Sequence, residues 1–529
     1  MTLRTGGEVL VRSLVRHGVT TIFGIPGSHN LEIYRHLAAH GIQHITPRHE
    51  QGAGYAADGY ARTSGRPGIA LVTSGPAALN AAAALGQSYS DSIPTLLIAP
   101  GMPRNHAHHG LLHETRDQRA VFAGIVGELA YRVHHHGELT EVIAEIFAGF
   151  TSGRPRPAYL EIPLDLLSLA ADTRIVDPLR VSRPQPDPGQ VVEAARLLAR
   201  AQRPGLLVGG GAKEAFHEVK TLAEHLRAGV LTTTNGKGIL SEEHPLSLGA
   251  ALHLPAATDW LSTRDVLLIA GSELAPTDFW NGPPTWPPTV IRIDIDPAQL
   301  LVNARPTLAV CADARPALAG VRQLLQASSE APLAHVGSPP PGAQHREELK
   351  RQRQEEGARW LPWLDALAKA TPRNTIVTAD NAMAGYYGAL GNLPSHEPGS
   401  FAFPTGFGTL GYALPAAIGA KAAQPDRPVV ALSGDGGLMF SCQEIATAAS
   451  AGLSLPVVVF VNGGYGEIRA EMAEAGIGPI AVDLPVPDFA ALAVALGGRG
   501  VDIATPDELG PAIAGALAHP GPTLLMVVE

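Results

Sequence analysis

Residues 428–437 are PVVALSGDGG and residues 455–465 are LPVVVFVNGGY. Each is a short, continuous apolar run that stops at a polar residue beside glycines, Asp435 in the first and Asn462 in the second. Continuous rather than alternating apolar runs mark strands buried on both faces, hence parallel strands covered by helices. A helical stretch expected to start near Ser441 joins them. Parallel strands of one sheet end on the same edge, so this crossover brings Asp435 and Asn462 together.

The same grammar recurs at 68–73, 95–99, 205–208, 266–270 and 290–295, with Ala-rich stretches between. It predicts the α/β class, as three doubly wound, mainly parallel-sheet domains. A length of 529 residues agrees, since one core rarely organises so many. Proline-rich stretches at 181–190 and 327–344 divide the chain into blocks 1–180, 190–326 and 346–529. The net charge of -10 is interspersed, which disfavours nucleic acid as a partner. The two cysteines, Cys311 and Cys442, lack CxxC spacing, so the cytoplasm fits better than an oxidising compartment. Arg4, Glu8 and Arg12 interrupt the first 15 residues, predicting an amphipathic helix rather than a signal peptide, and no apolar run is long enough to suggest a membrane span.

Mg²⁺ takes an octahedron of oxygens, commonly one or two protein groups completed by phosphate and water. Asp435, Asn462 and a backbone carbonyl near Gly464 supply such oxygens. Gly436 and Gly437 let the backbone approach a phosphate, and the following helix N-terminus offers free N–H groups. A lone Gly-Asp-Gly is more often a plain turn; the second strand-end residue at crossover spacing turns the balance.

The stretch from Gly434 to Tyr465 resembles the thiamine diphosphate motif of the acetolactate synthase and benzoylformate decarboxylase superfamily: GDG, a helix and strand, then NN. Val461 replaces the first Asn of that pair, while Asn462 keeps the position of the metal ligand. The likeness extends to the first block, with VTTIFGIPG at 19–27, RHE at 48–50 and DGYAR at 58–62, and to the middle block, with glycines at 209–211 and 236–238. It implies a pyrimidine-binding N-terminal domain, a Rossmann-like central domain and a C-terminal domain for diphosphate and Mg²⁺. Glu50 is then the group that activates the cofactor by hydrogen bonding to its aminopyrimidine, and burial would raise its pKa. Leu410 is the bulky residue beneath the bent cofactor, and the Gly408 carbonyl accepts from its exocyclic amine. In relatives each site combines two subunits, so a homodimer or homotetramer is implied.

The resemblance also frames the substrate, a small 2-oxo acid decarboxylated without oxidation. Ser28 resembles a serine that contacts the substrate carboxylate, with a helix N-cap as the alternative role. Thr73, Ser74, Gly75 and Pro76 occupy the turn where benzoylformate decarboxylase has a catalytic histidine, so proton transfer falls to other groups. His113 and Glu114 resemble polar segments that relatives place over the cofactor. Nearby His106, His108 and His109 suggest zinc, but a polar surface loop is preferred, and His134, His135 and His136 are expected to be solvated. Glu467 stands where relatives border the substrate pocket with a small or apolar residue; a buried carboxylate there calls for a cation, such as the guanidinium of 5-guanidino-2-oxopentanoate. The competing role is a solvated Glu on the first turn of a helix.

Other readings remain open. An acetolactate synthase-type carboligase captures the intermediate with a second oxo acid rather than a proton, although Gly127, Glu128 and Leu129 stand near where relatives carry Thr-Lys. A flavin or nicotinamide oxidoreductase would use the middle block, but Gly209, Gly210 and Gly211 lack the GxGxxG register. A third reading is a thiamine-binding protein without catalysis, against which Asp435, Asn462 and Glu50 are all intact.

Overall fold

A computed structural model describes residues 3–106, 108–327 and 343–529; most of the second proline-rich stretch lies outside them. Its strands form three six-stranded parallel sheets and a two-stranded antiparallel ribbon, so the α/β expectation holds. Each predicted apolar run is a strand: Gly68–Leu71, Thr95–Gly101, Pro204–Val208, Val266–Ala270, Thr289–Asp294, Val429–Gly434 and Leu455–Val461. All residues of Thr95–Gly101 and Leu455–Val461 are buried, as double-sided cover by helices requires. The amphipathic N-terminal helix is Gly6–Arg16, capped by Thr5 and packed through Val9, Leu10, Val11 and Leu14.

The chain divides into two compact units. The first comprises residues 1–182, 407–504 and 514–529. It holds a sheet in the order Gln43–Ile45, Thr21–Gly24, Gly68–Leu71, Thr95–Gly101, Ala158–Pro163, Ala130–Arg132. It also holds four strands of another, in the order Val429–Gly434, Leu455–Val461, Pro522–Val528, Arg499–Ile503.

Helices Glu50–Ser64 and Ala413–Ala423 meet backbone to backbone in this unit. A Cβ on Gly59 would lie 2.2 Å from the Ala416 carbonyl oxygen, and one on Gly419 would lie 1.9 Å from that of Ala56. Only glycine permits so close an approach. The contact also explains DGYAR. Buried Asp58 accepts from Arg62 Nε at 2.5 Å, Ser88 Oγ at 2.8 Å and Tyr412 Oη at 2.7 Å, while Arg62 Nη2 reaches Asp91 at 2.7 Å. The motif is a latch that fixes the helix beginning at Glu50.

The second unit comprises residues 183–406 and 505–513. Its sheet runs Ser247–Ala250, Gly229–Thr232, Pro204–Val208, Val266–Ala270, Thr289–Asp294, Leu308–Cys311. Here the glycine-rich strand ends close βα units. A Cβ on Gly209 would lie 2.4 Å from the Gly271 carbonyl oxygen, and one on Gly236 would lie 2.3 Å from that of Val208. Close packing alone accounts for these glycines.

Candidate cofactor and substrate site

Strand Val429–Gly434 delivers Asp435 directly into a four-residue helix, Asp435–Leu438, so the helical turn begins earlier than the Ser441 expectation, and a second helix follows at Glu444–Ser450. In the adjacent strand Phe460 is in register with Gly434, which sets Asn462 beside Asp435 at the sheet edge. Asp435 Oδ2 accepts from the N–H groups of Gly463 at 2.9 Å and Gly464 at 3.1 Å. Positive φ values of 81° and 136° let those two glycines turn their amides toward it.

Asp435 Oδ1 and Asn462 Oδ1 are buried and have no hydrogen-bond partner. Orphaned buried oxygens cost about 1–3 kcal/mol each unless something is bound. A Cβ on Gly436 would lie 3.1 Å from the Gly464 carbonyl oxygen, so that third oxygen borders the same place. The Tyr465 ring is as near to that point. Clustered uncompensated oxygens are what a hard divalent cation needs, so the residues fit Mg²⁺ with a diphosphate.

In the same unit Glu50 opens the helix Glu50–Ser64 behind His49, whose extended backbone and Nδ1 cap Gln51 N–H. Glu50 is half-buried and its Oε2 accepts from Asn80 Nδ2 at 2.9 Å. The residue that sets this entry is one the sequence did not suggest. Glu444, fully buried, accepts from His49 N–H at 3.0 Å, from Arg48 N–H at 3.1 Å and from Thr447 Oγ1 at 2.6 Å. Burial pushes its carboxyl above the ordinary range. A Cβ on Gly52 would fall 2.4 Å from Glu444 Oε1, so the fifth position of RHEQG must stay small.

Three family models of thiamine pyrophosphate enzymes match the chain: the N-terminal TPP binding domain over residues 4–121, the central domain over 191–321 and the C-terminal TPP binding domain over 384–527. The chain is 40% identical to a "Probable 2-ketoarginine decarboxylase" of Pseudomonas aeruginosa, over 98% of this chain and 93% of that one. The chain belongs to the thiamine pyrophosphate enzyme family. It is also 32% identical to an acetolactate synthase of Arthrospira platensis, over 99% of this chain and 94% of that one. With the large subunit of acetolactate synthase isozyme 1 of Escherichia coli the identity is 30%, over 99% and 93%.

For a thiamine pyrophosphate enzyme, the remaining candidates take these places. Gly408 adopts φ 66° and Leu410, two residues on, is half-buried. Ser28 is exposed in a turn and does not cap the next helix; that position is Asn30, whose side chain instead closes the turn through Gly27 N–H and the Ile25 carbonyl. His113, at φ 62°, packs edge-to-face on His29 with ring centroids 5.0 Å apart, and its Nδ1 is buried without a partner. His29 Nδ1 lies 2.6 Å from Ser74 Oγ, so a histidine does reach the turn where none was expected, from a different strand end. Burial and the neighbouring His113 hold His29 below the ordinary imidazole range.

Glu114 turns toward His106 and His108. His136 corrects the expectation of a solvated run: it is buried, with Nε2 2.9 Å from the Leu166 carbonyl, while His135 caps its helix and His134 is exposed. Glu467 is half-buried in the first turn of helix Gly466–Glu474. Arg469, two residues on, is committed to Asp483 at 2.6 Å.

Proposed function

We propose that this enzyme decarboxylates a 2-oxo acid without oxidation, that it uses thiamine diphosphate with Mg²⁺, and that its substrate ends in a guanidinium, as 5-guanidino-2-oxopentanoate does. The observation that carries the cofactor assignment is the pair of orphaned oxygens on Asp435 and Asn462. Support for the substrate comes from two directions. Glu467 places a half-buried carboxylate five residues beyond Asn462, and the relative at 40% identity bears the name of an enzyme for 2-ketoarginine, the same compound.

Bound thiamine diphosphate supplies a nucleophilic carbon and an electron sink for the carboxylate's electrons. In this reading Asp435, Asn462 and the Gly464 carbonyl hold the metal, and Gly434, Gly436, Gly437 and Tyr465 line the diphosphate. Glu50, steadied by Asn80, exchanges a proton with the aminopyrimidine; Gly408 and Leu410 orient that ring. Ser28 receives the substrate carboxylate, His113 is the group for proton delivery, Glu114 being turned toward His106 and His108, and Glu467 meets the guanidinium.

Two copies are expected to complete the site. Phe407, Met439, Phe440 and Ile468 are large apolar residues exposed on segments that adjoin Gly408, Gly437 and Glu467, which supports an association surface there. Two free cysteines fit a reducing cytoplasm. No helix among the described residues is long and apolar enough to cross a membrane.

The test is a panel of 2-oxo acids with cofactor and Mg²⁺, recording CO₂ and aldehyde together. Equal amounts of CO₂ and 4-guanidinobutanal establish the reaction. CO₂ with acetolactate from pyruvate, and none from the guanidino acid, would favour the carboligase reading that relatives named acetolactate synthase support. Glu467→Gln should lower kcat/KM for the guanidino acid about 10- to 150-fold, the range for a hydrogen bond to a charged group, and leave neutral 2-oxo acids within about threefold. Equal loss on both kinds of substrate would remove Glu467 from recognition.

A further inference from the structure

We propose that His106, His108 and Glu114 form a second metal site, selective for a borderline transition ion such as Zn²⁺ and separate from the Mg²⁺ seat at Asp435. Their ligand atoms lie within 4.8 Å of one another. Glu114 Oε1 is 2.9 Å from His108 Nδ1 and 3.8 Å from His106 Nε2. Tetrahedral zinc at about 2.0–2.1 Å from nitrogen and oxygen separates its ligands by about 3.3 Å, between those two distances. Two imidazoles and one carboxylate are a donor set suited to zinc, with the fourth position left to water.

The three groups are held as ligands. His106 Nδ1 is 3.1 Å from the Pro103 carbonyl, which assigns the proton to that nitrogen and leaves the Nε2 lone pair facing the cluster. A ligating histidine characteristically uses its other nitrogen this way. His106 Nε2 is buried and makes no hydrogen bond, so a neutral acceptor is stranded beside a carboxylate, an arrangement that only a cation or a proton between them relieves. Glu114 Oε2 accepts from Leu111 N–H at 2.8 Å, which anchors the carboxylate and leaves Oε1 for the cluster. His108, at φ 51°, takes the left-handed conformation, which turns its ring back on His106 with centroids 4.3 Å apart.

Mg²⁺ at the cofactor does not compete, because it prefers oxygen ligands and gives up water reluctantly. Glu114 precedes Gln118, which accepts from Gly75 N–H at 2.6 Å beside His113, so an ion here would brace the segment that carries His113. This assignment does not depend on the decarboxylase reading.

Untagged holoenzyme, saturated with thiamine diphosphate and Mg²⁺ and freed of other metals, is titrated with Zn²⁺ against a chromophoric chelator. One Zn²⁺ per chain is expected, bound at least about tenfold more weakly in His106→Ala and in His108→Ala. His108 is 61% exposed as a side chain, so its removal tests the site without threatening the fold. Co²⁺ in place of Zn²⁺ should give visible absorption bands that both variants lose. No zinc retained against the chelator, or the same stoichiometry and affinity in both variants, would overturn the proposal whatever the enzyme's activity.

Discussion

Glu50→Gln is expected to slow CO₂ release about 10²- to 10⁴-fold, the usual worth of a positioned proton-transfer group, while the folded chain keeps its affinity for thiamine diphosphate. Gln preserves the volume and an acceptor for Asn80 Nδ2, which now meets Glu50 Oε2 at 2.9 Å. The turn into the helix survives too, because Glu444 grips the backbone N–H groups of Arg48 and His49 rather than the Glu50 side chain. Only the ability to exchange a proton is lost. Two measurements check this: steady-state CO₂ release, and hydrogen–deuterium exchange at the cofactor's reactive carbon. Both should fall together while cofactor binding, followed by fluorescence quenching, stays within about threefold. A rate loss under tenfold would take the activating role away from Glu50.

The contrast between Asp435 and Glu444 separates what the sequence discloses from what only the fold supplies. Asp435 and Asn462 were legible because a buried strand ending in a polar residue is a local pattern, and one parallel crossover is enough to join two of them. Glu444 contacts residues 395 and 396 positions away, and in the sequence QEIATAAS it looks like any polar residue on a helix. No periodicity distinguishes a carboxylate that faces solvent from one that caps a distant turn.

His136 failed to show itself for a related reason. Three consecutive histidines suggest solvation, but the third starts a helix and is drawn inward by the Leu166 carbonyl. The helix after Ser28 does start at Leu31, but Asn30 holds its cap position and closes the turn with two bonds, so Ser28 has no capping role. DGYAR was recognisable as a marker, yet its role as a buried latch needed Tyr412, which meets Asp58 across 354 positions.

Asp435→Asn should weaken Mg²⁺ and cofactor binding together by more than about 100-fold, beyond the 10- to 100-fold that partners outside the ligand set usually cost. The substitution is chosen because Asp435 has two separable roles. Its Oδ2 ties the Gly463 and Gly464 amides, and an Asn oxygen continues to accept from both. Its Oδ1 is the orphan, and there Asn offers an N–H group toward the place where a cation is expected, converting attraction into repulsion. Thermal stability without cofactor should therefore change little, while the stabilisation that added cofactor and Mg²⁺ give the parent should vanish, since ligand-linked stability follows affinity. Asp435→Ala gives the complementary result: it strands both amides, each at about 1–3 kcal/mol, so it lowers stability even without ligand. If Asp435→Asn instead gained as much thermal stability from cofactor and Mg²⁺ as the parent, the metal seat would have to lie elsewhere on this sheet edge.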